Sequence, residues 1–154
     1  MSAVTPLSAP RPAEELALER VFEEVRTTRM AGVSILNERL RVEAVGFREW
    51  RGARVGALVT PWSVSLMIVA GPGRPLAALR TGATECWSFP SGDYEFLGHA
   101  EPSIGDYRQC SLISPALEFA SHADAVAAAR AALDALFTPP EPRRVSRRGL
   151  VLGV

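Results

Sequence analysis

At 154 residues, 47% of them apolar, the chain is the size of one domain and has enough hydrophobic side chain to bury a core. Its 17 basic and 17 acidic residues cancel, so no overall field points to nucleic acid or a membrane surface as partner. Every basic residue is arginine; with no lysine there is no Schiff base and no phosphate-loop ammonium, which excludes those chemistries.

Residues 1–11 contain Pro6 and Pro10 but few large apolar groups, and are expected to be flexible. They lack the basic and apolar regions of a secretory signal, so a cytoplasmic location is expected. Pro12 suits the first position of a helix, where a missing N–H costs nothing. Glu14 and Glu15 near the start, with Arg26 and Arg29 near the end, complement the helix dipole. Leu18, Val21, Phe22 and Val25 keep i, i+3, i+4, i+7 spacing, which predicts an amphipathic helix ending near Met30 or Gly32.

An all-β stretch follows. Glu43 to Trp50 reads as a strand and Arg51-Gly52-Ala53 as a turn. Val55 to Gly73 then runs without a charge, close to the roughly 20 residues that span a bilayer as a helix. Gly56, Thr60, Pro61, Ser63 and Ser65 dilute its apolar character, and Gly71-Pro72-Gly73 would break the last turn. The stretch therefore reads as two buried strands, Arg54–Thr60 and Val64–Ala70. Pro61, which cannot donate to a central ladder, belongs at their junction beside Trp62. Val64, Leu66, Ile68 and Ala70 share one face. After a loop over Gly71–Gly82, Thr84–Phe89 and Asp93–His99 form strands around the turn Pro90-Ser91-Gly92, and Tyr107–Leu112 makes a sixth. A second helix starts at Ser121, with Asp124 in the capping-box place and Val126, Ala129, Leu133, Leu136 and Phe137 as its apolar stripe. Pro139 and Pro140 stop it. The order predicts one α+β domain over residues 12–138, an antiparallel sheet of about six strands flanked by N-terminal and C-terminal helices. Residues 139–154 are expected to be a disordered, arginine-rich tail.

Chemistry is sparse. The two histidines, His99 and His122, do not stand at metal spacing with each other or with a cysteine, and no metal or cofactor is expected. Cys86 and Cys110 lack a C-x-x-C arrangement and read as small strand residues. An alternative is a thiol-dependent redox factor or small enzyme centred on Cys110, with His122 or Cys86 as a spatial neighbour. Gly71 and Gly73 make no phosphate loop, and Asp93 and Glu95 alternate with Tyr94 and Phe96 as solvent-facing strand positions. What remains is a set of corners: Pro61-Trp62, Pro90-Ser91-Gly92-Asp93-Tyr94 and Ser114-Pro115. Aromatics at such places serve recognition surfaces or anchor turns. A binding module is favoured over an enzyme, with no catalytic residue assigned.

The runs VEAVGFREWRG, GALVTPWSVSLMIV, FPSGDYEFLG and IGDYRQCSLISPALEFASHADA, taken together, resemble the HybE/HupJ family of nickel–iron hydrogenase assembly chaperones. The likeness covers about residues 15 to 137. It rests on T-P-W, P-S-G-x-Y-E-F and C-S-L-x-S-P-x-x-E-F. It implies a non-enzymatic cytoplasmic accessory protein of an uptake hydrogenase, without a cofactor. Such a protein holds the small subunit precursor, the large subunit precursor or both until their metal centres are in place. The small subunit carries a twin-arginine export signal, so export proofreading is implied as well. The family motifs map onto Thr60, Pro61, Trp62, Pro90, Ser91, Gly92, Tyr94, Cys110, Ser111, Ser114 and Pro115. Pro61, Trp62, Pro90, Ser91, Gly92, Tyr94, Ser114 and Pro115 are the candidate partner-binding residues, with Trp62 expected to be partly exposed near Tyr94. Some relatives add a rubredoxin domain with paired C-x-x-C motifs, which this chain lacks. In the tail, Ser146-Arg147-Arg148-Gly149-Leu150-Val151 resembles the S-R-R-x-F-L core of a twin-arginine signal, though it lies too close to the end to act as one. Either the likeness is accidental, or Arg147 and Arg148 contact the chaperone's own client site.

Overall fold

The structure, a computed structural model, describes residues 13–140. The expectations for residues 1–11 and for the tail beyond Pro140, Arg147 and Arg148 included, lie outside the described residues. The elements run α1 (Ala13–Thr27), β1 (Glu43–Trp50), β2 (Ala53–Thr60), β3 (Ser63–Ala70), β4 (Thr84–Phe89), β5 (Gly92–Glu101), β6 (Gly105–Ile113) and α2 (His122–Leu136). All six strands pair antiparallel in the order β1-β2-β3-β6-β5-β4, the α+β arrangement predicted. α1 ends earlier than its apolar spacing suggests. The Thr27 and Thr28 hydroxyls donate to the carbonyls of Glu23 and Glu24 in its last turn, and Met30 N–H reaches back to Val25 O at 2.9 Å. The chain there turns wider than an α-helix and leaves it. α2 starts as expected, with Ser121 Oγ accepting Asp124 N–H at 3.1 Å.

The uncharged run of β2 and β3 is explained by burial on both faces. Val55, Ala57, Val59, Val64, Leu66 and Ile68 pack with Ala125, Ala129, Leu133 and Leu136 of α2. The alternate residues Leu58, Met67 and Val69 pack with Leu18, Val21 and Phe22 of α1. Glu19 of α1 also accepts Ala44 N–H at 2.7 Å, and Glu15 pairs with Arg54 at 2.9 Å. At roughly 25 cal/mol per Å² of apolar area, strands dry on both sides contribute most of the stability.

Two local devices shape the sheet. Arg51 and Gly52 both take positive φ, 53° and 83°, as a primed type I hairpin turn requires. At Gly46 (φ 64°) the β1–β2 register slips between Val45 and Arg48, a bulge that turns Phe47 onto Gly56. A Cβ at Gly56 would lie 2.3 Å from the Phe47 ring, and one at Gly46 would lie 2.8 Å from Leu133 of α2. The sheet also curls. β1 and β4 are opposite edges, yet Trp50 stacks on Phe89 at 5.7 Å, its indole N–H approaches Ser88 O at 3.3 Å, and both rings meet Phe137 edge-on. α2 therefore lies in a trough whose diagonal corners close over its C-terminus.

Candidate functional site

The pairing places three motif corners at one end of the sheet. Thr60↔Ser63 closes the β2–β3 hairpin, Val64↔Ile113 sets the end of β6 beside it, and Phe89↔Gly92 closes the β4–β5 hairpin at that same end. Pro61-Trp62, Ser114-Pro115 and Pro90-Ser91 are thus brought to a common rim although 22 or more residues separate successive corners in sequence.

Each corner is held differently. Pro61 and Trp62 do not take the positive φ of a primed turn, so the strands need help to stay together. Thr60 Oγ1 supplies it, accepting the N–H groups of Trp62 (3.3 Å) and Ser63 (3.0 Å) and donating to Ser63 O (3.1 Å). The hydroxyl row continues through Ser63 Oγ to Ser65 Oγ (3.4 Å), which accepts from Gln109 Nε2 (3.1 Å). Trp62 is half-buried and leans on the α1 side. At the second corner Ser91 Oγ meets Tyr94 Oη at 2.7 Å, Ser91 N–H donates to Leu136 O at 3.2 Å, and Tyr94 sits edge-on to Phe89. This corner is a strut between sheet and α2. Tyr94 packs on the α2 side, so Trp62 and Tyr94 share one end of the sheet but lie on opposite faces. A side chain before β3 and one inside β5 take their faces from separate registers, which their placement at turns could not reveal. The Ser114–Pro115 peptide is cis and both residues are exposed.

The residue that joins the Pro61-Trp62 corner to the segment following Ser114-Pro115 is Asn37, for which the sequence has no motif. It is buried, and its N–H donates to Pro61 O at 2.7 Å. Its Nδ2 donates to Ala116 O (3.0 Å) and Phe119 O (2.9 Å), and its Oδ1 accepts Arg39 N–H (3.1 Å). Both amide atoms are satisfied, as burial demands. An asparagine in a loop is too common to be singled out; only its long-range partners set it apart. Around this clamp the surface is apolar. Of the five large hydrophobic side chains that are most exposed, three belong here: Ile35 (41%), Leu112 (40%) and Leu117 (53%). Leu112 is the extra residue where the β3–β6 register slips between Ser111 and Ile113, which turns it outward. Glu38 and Glu118 stand exposed beside them. A groove of about 450 Å³, lined by Leu36, Glu38, Leu40 and Pro61 and by the paired Glu23 and Arg26, adjoins the same corner.

The reactive groups lie elsewhere. Cys110 is half-buried toward the α2 side, and burial pushes its thiol pKa up. Cys86 alternates with the inward Trp87 and is exposed, so of the two cysteines read as small strand residues only Cys110 is sheltered. An edge strand shields only one of its faces. His122 cannot serve Cys110 as a base. Its Nδ1 accepts Arg41 N–H at 3.1 Å, which leaves the proton on Nε2 to bond Glu43 Oε1 at 2.8 Å. His99 stacks on Tyr107 at 5.3 Å; burial lowers its pKa and raises that of Tyr107 to about 12. Arg108, 1% exposed, donates to Glu85 (2.6 Å) and to Ala77 O (2.8 Å), and its guanidinium holds the Glu85 carboxyl below the usual range. This pair straps the β3–β4 loop to the sheet.

Comparison with known proteins bears on the family and on the fold. The model of the family described as NiFe-hydrogenase assembly, chaperone, HybE matches residues 13–153. Protein HoxT of Cupriavidus necator is 37% identical over 88% of this chain and 86% of its own length. The hydrogenase expression/formation protein HupJ of Bradyrhizobium diazoefficiens is 38% identical over 92% of this chain and 85% of its own. The solution structure of HybE from Escherichia coli superposes with a TM-score of 0.68 at 20% identity, covering 88% of this chain and 87% of that one, a likeness of fold.

Proposed function

Since the chain belongs to the family of nickel–iron hydrogenase assembly chaperones, we propose that it grips a hydrogenase precursor subunit through the Asn37 end of its sheet. The precursor is held in the cytoplasm until its metal centres are loaded. The client we assign is the small subunit precursor of an uptake hydrogenase, whose twin-arginine signal joins a basic pair to an apolar stretch. The single observation that supports this reading is the convergence of Trp62, Leu112, Leu117 and Ile35 around one buried clamp. A monomer has no folding reason to expose such a cluster, whereas a binding surface requires it. Glu38 and Glu118 at its edge suit a basic client segment. The thiol reading gains no support, since Cys110 and Cys86 sit on opposite faces and His122 is engaged with Glu43.

The test is retention of a small-subunit precursor on the purified chain. The native chain is expected to hold it in a 1:1 complex. Leu117→Asp and Trp62→Ala each weaken binding by about 2 kcal/mol, roughly thirtyfold. Leu117→Asp leaves thermal stability nearly unchanged, because the side chain is already half in water. Undiminished retention by both variants overturns the placement. Failure of the native chain to retain any precursor, small or large, overturns the function.

A further inference from the structure

We infer that the same surface has an occupant within this chain: residues 143–152, RRVSRRGLVL, dock back on the Asn37 end. Their arginines lie against Glu118, and Leu150, Val151 and Leu152 against Ile35, Leu112 and Leu117. This rests on the reading of that end as the client site. Charge is the first support. Sixteen of the 17 acidic residues but only twelve of the 17 arginines lie in residues 13–140, while four arginines and one glutamate follow Pro140. Salt screens charges beyond about 8 Å, so this imbalance favours docking only where acids and arginines meet. Glu38 and Glu118 are exposed acids next in sequence to Asn37 and Leu117, but Arg39 and Arg41 are exposed beside Glu38, so Glu118 is the acid best placed to meet the tail's arginines. Order along the segment is the second support. Two arginine pairs precede three consecutive aliphatic residues, the order in which the exposed Glu118 and the apolar side chains of Leu117, Leu112 and Ile35 could receive them.

Reach is the third support. Described structure ends just past α2, whose last turn is bonded to the β4–β5 corner by Ser91 N–H→Leu136 O. Glu118 lies four residues before the start of α2, so the segment must return along the helix. That helix has 15 residues and is therefore about 22 Å long. Seven residues from Pro140 to Arg147 span at most about 23–25 Å. The linker is long enough to place Arg147 and Arg148 at Glu118, with little to spare. The match to the family model, which runs to residue 153, includes this segment with the chaperone unit.

A contact of this kind need not be strong. A linker that must run nearly extended gives less than the millimolar effective concentration of a relaxed one; at about 0.1 mM a segment with an intrinsic dissociation constant of about 10 μM would keep the site occupied roughly ten times in eleven. A client then binds about tenfold more weakly than to an unoccupied site, and only a stronger basic-then-apolar segment displaces the tail.

The test uses the full chain, native and with Arg147→Gln and Arg148→Gln, and a synthetic peptide of residues 143–152 as probe. The double variant is expected to bind the peptide about tenfold more tightly than the native chain. That gain should vanish when Leu117→Asp or Glu118→Gln is added. Equal affinity for native and double variant overturns the inference, as does a gain indifferent to Leu117 and Glu118. Retention of the small-subunit precursor is measured alongside. If the precursor is retained and the peptide affinities are equal, the tail contact alone fails. If the precursor is not retained, the client reading fails and the peptide result decides the tail contact independently.

Discussion

Cys86 and Cys110 show how much a single side chain's fate depends on which face of a strand it takes. Cys86 alternates with the inward Trp87 and Phe89 and points out; Cys110 points toward α2, where burial raises its pKa. The thiolate is the reactive form, so the two should separate cleanly under an aromatic disulfide reagent at pH 8. One thiol per chain is expected to react fast, lost in Cys86→Ser and kept in Cys110→Ser. The second should react only on unfolding. Two fast thiols in the native protein would contradict the burial of Cys110. The cysteine spacing gave no sign of a metal or disulfide framework. Nor did the sequence show that the two differ, because Thr84 to Phe89 has no apolar alternation strong enough to set its face.

At the scale of elements, Asn37 does the work that no helix or strand does at the motif end. Its three donated bonds tie the α1–β1 loop to the β2–β3 corner and to the segment after β6. Asn37→Ala strands two buried carbonyls, each worth about 1–3 kcal/mol when left unpaired. The midpoint of thermal unfolding should fall by roughly 5–10 °C. Precursor retention should fall as well, through loss of the patch rather than of a contact. Unchanged thermal stability would show that water replaces the clamp. The helices and most strands could be read from the chain because they follow from local periods of 3.6 and 2 and from Pro and Gly punctuation. The strands run one or two residues beyond the expected ends, as in β5 and β6, and α1 ends early where Thr27 and Thr28 bond back to its last turn. Asn37 escaped because the acceptors of its donated bonds are 24 to 82 residues away, and no local pattern encodes a partner at that distance.

The molecule as a whole follows the same division. An α+β chain with terminal helices was legible from the order of periods, and the continuous apolar character of β2 and β3 announced a strand pair dry on both faces. That β6 inserts between β3 and β5 was not legible, and that insertion is what gathers the three corners onto one rim. The quoted family motifs marked those corners without saying that they were neighbours.

The contact of Trp50 with Phe89 and Ser88 has a consequence for solubility. An unpaired strand edge is a template on which other chains can add, and it is most hazardous beside partly folded polypeptides. By curling until the corner of β1 meets the corner of β4, this sheet spends part of each edge on the other. The indole N–H occupies Ser88 O, a carbonyl that would otherwise face outward from β4. On the proposed reading, a client held on the rim of side chains would then not be recruited into this chain's own ladder. Trp50→Ser is therefore expected to cost more in colloidal behaviour than in folding. Light scattering on prolonged incubation at high concentration should rise well above that of the native chain while the far-ultraviolet spectrum stays the same. A variant that stays monomeric under those conditions would show that the two edges are protected by other means.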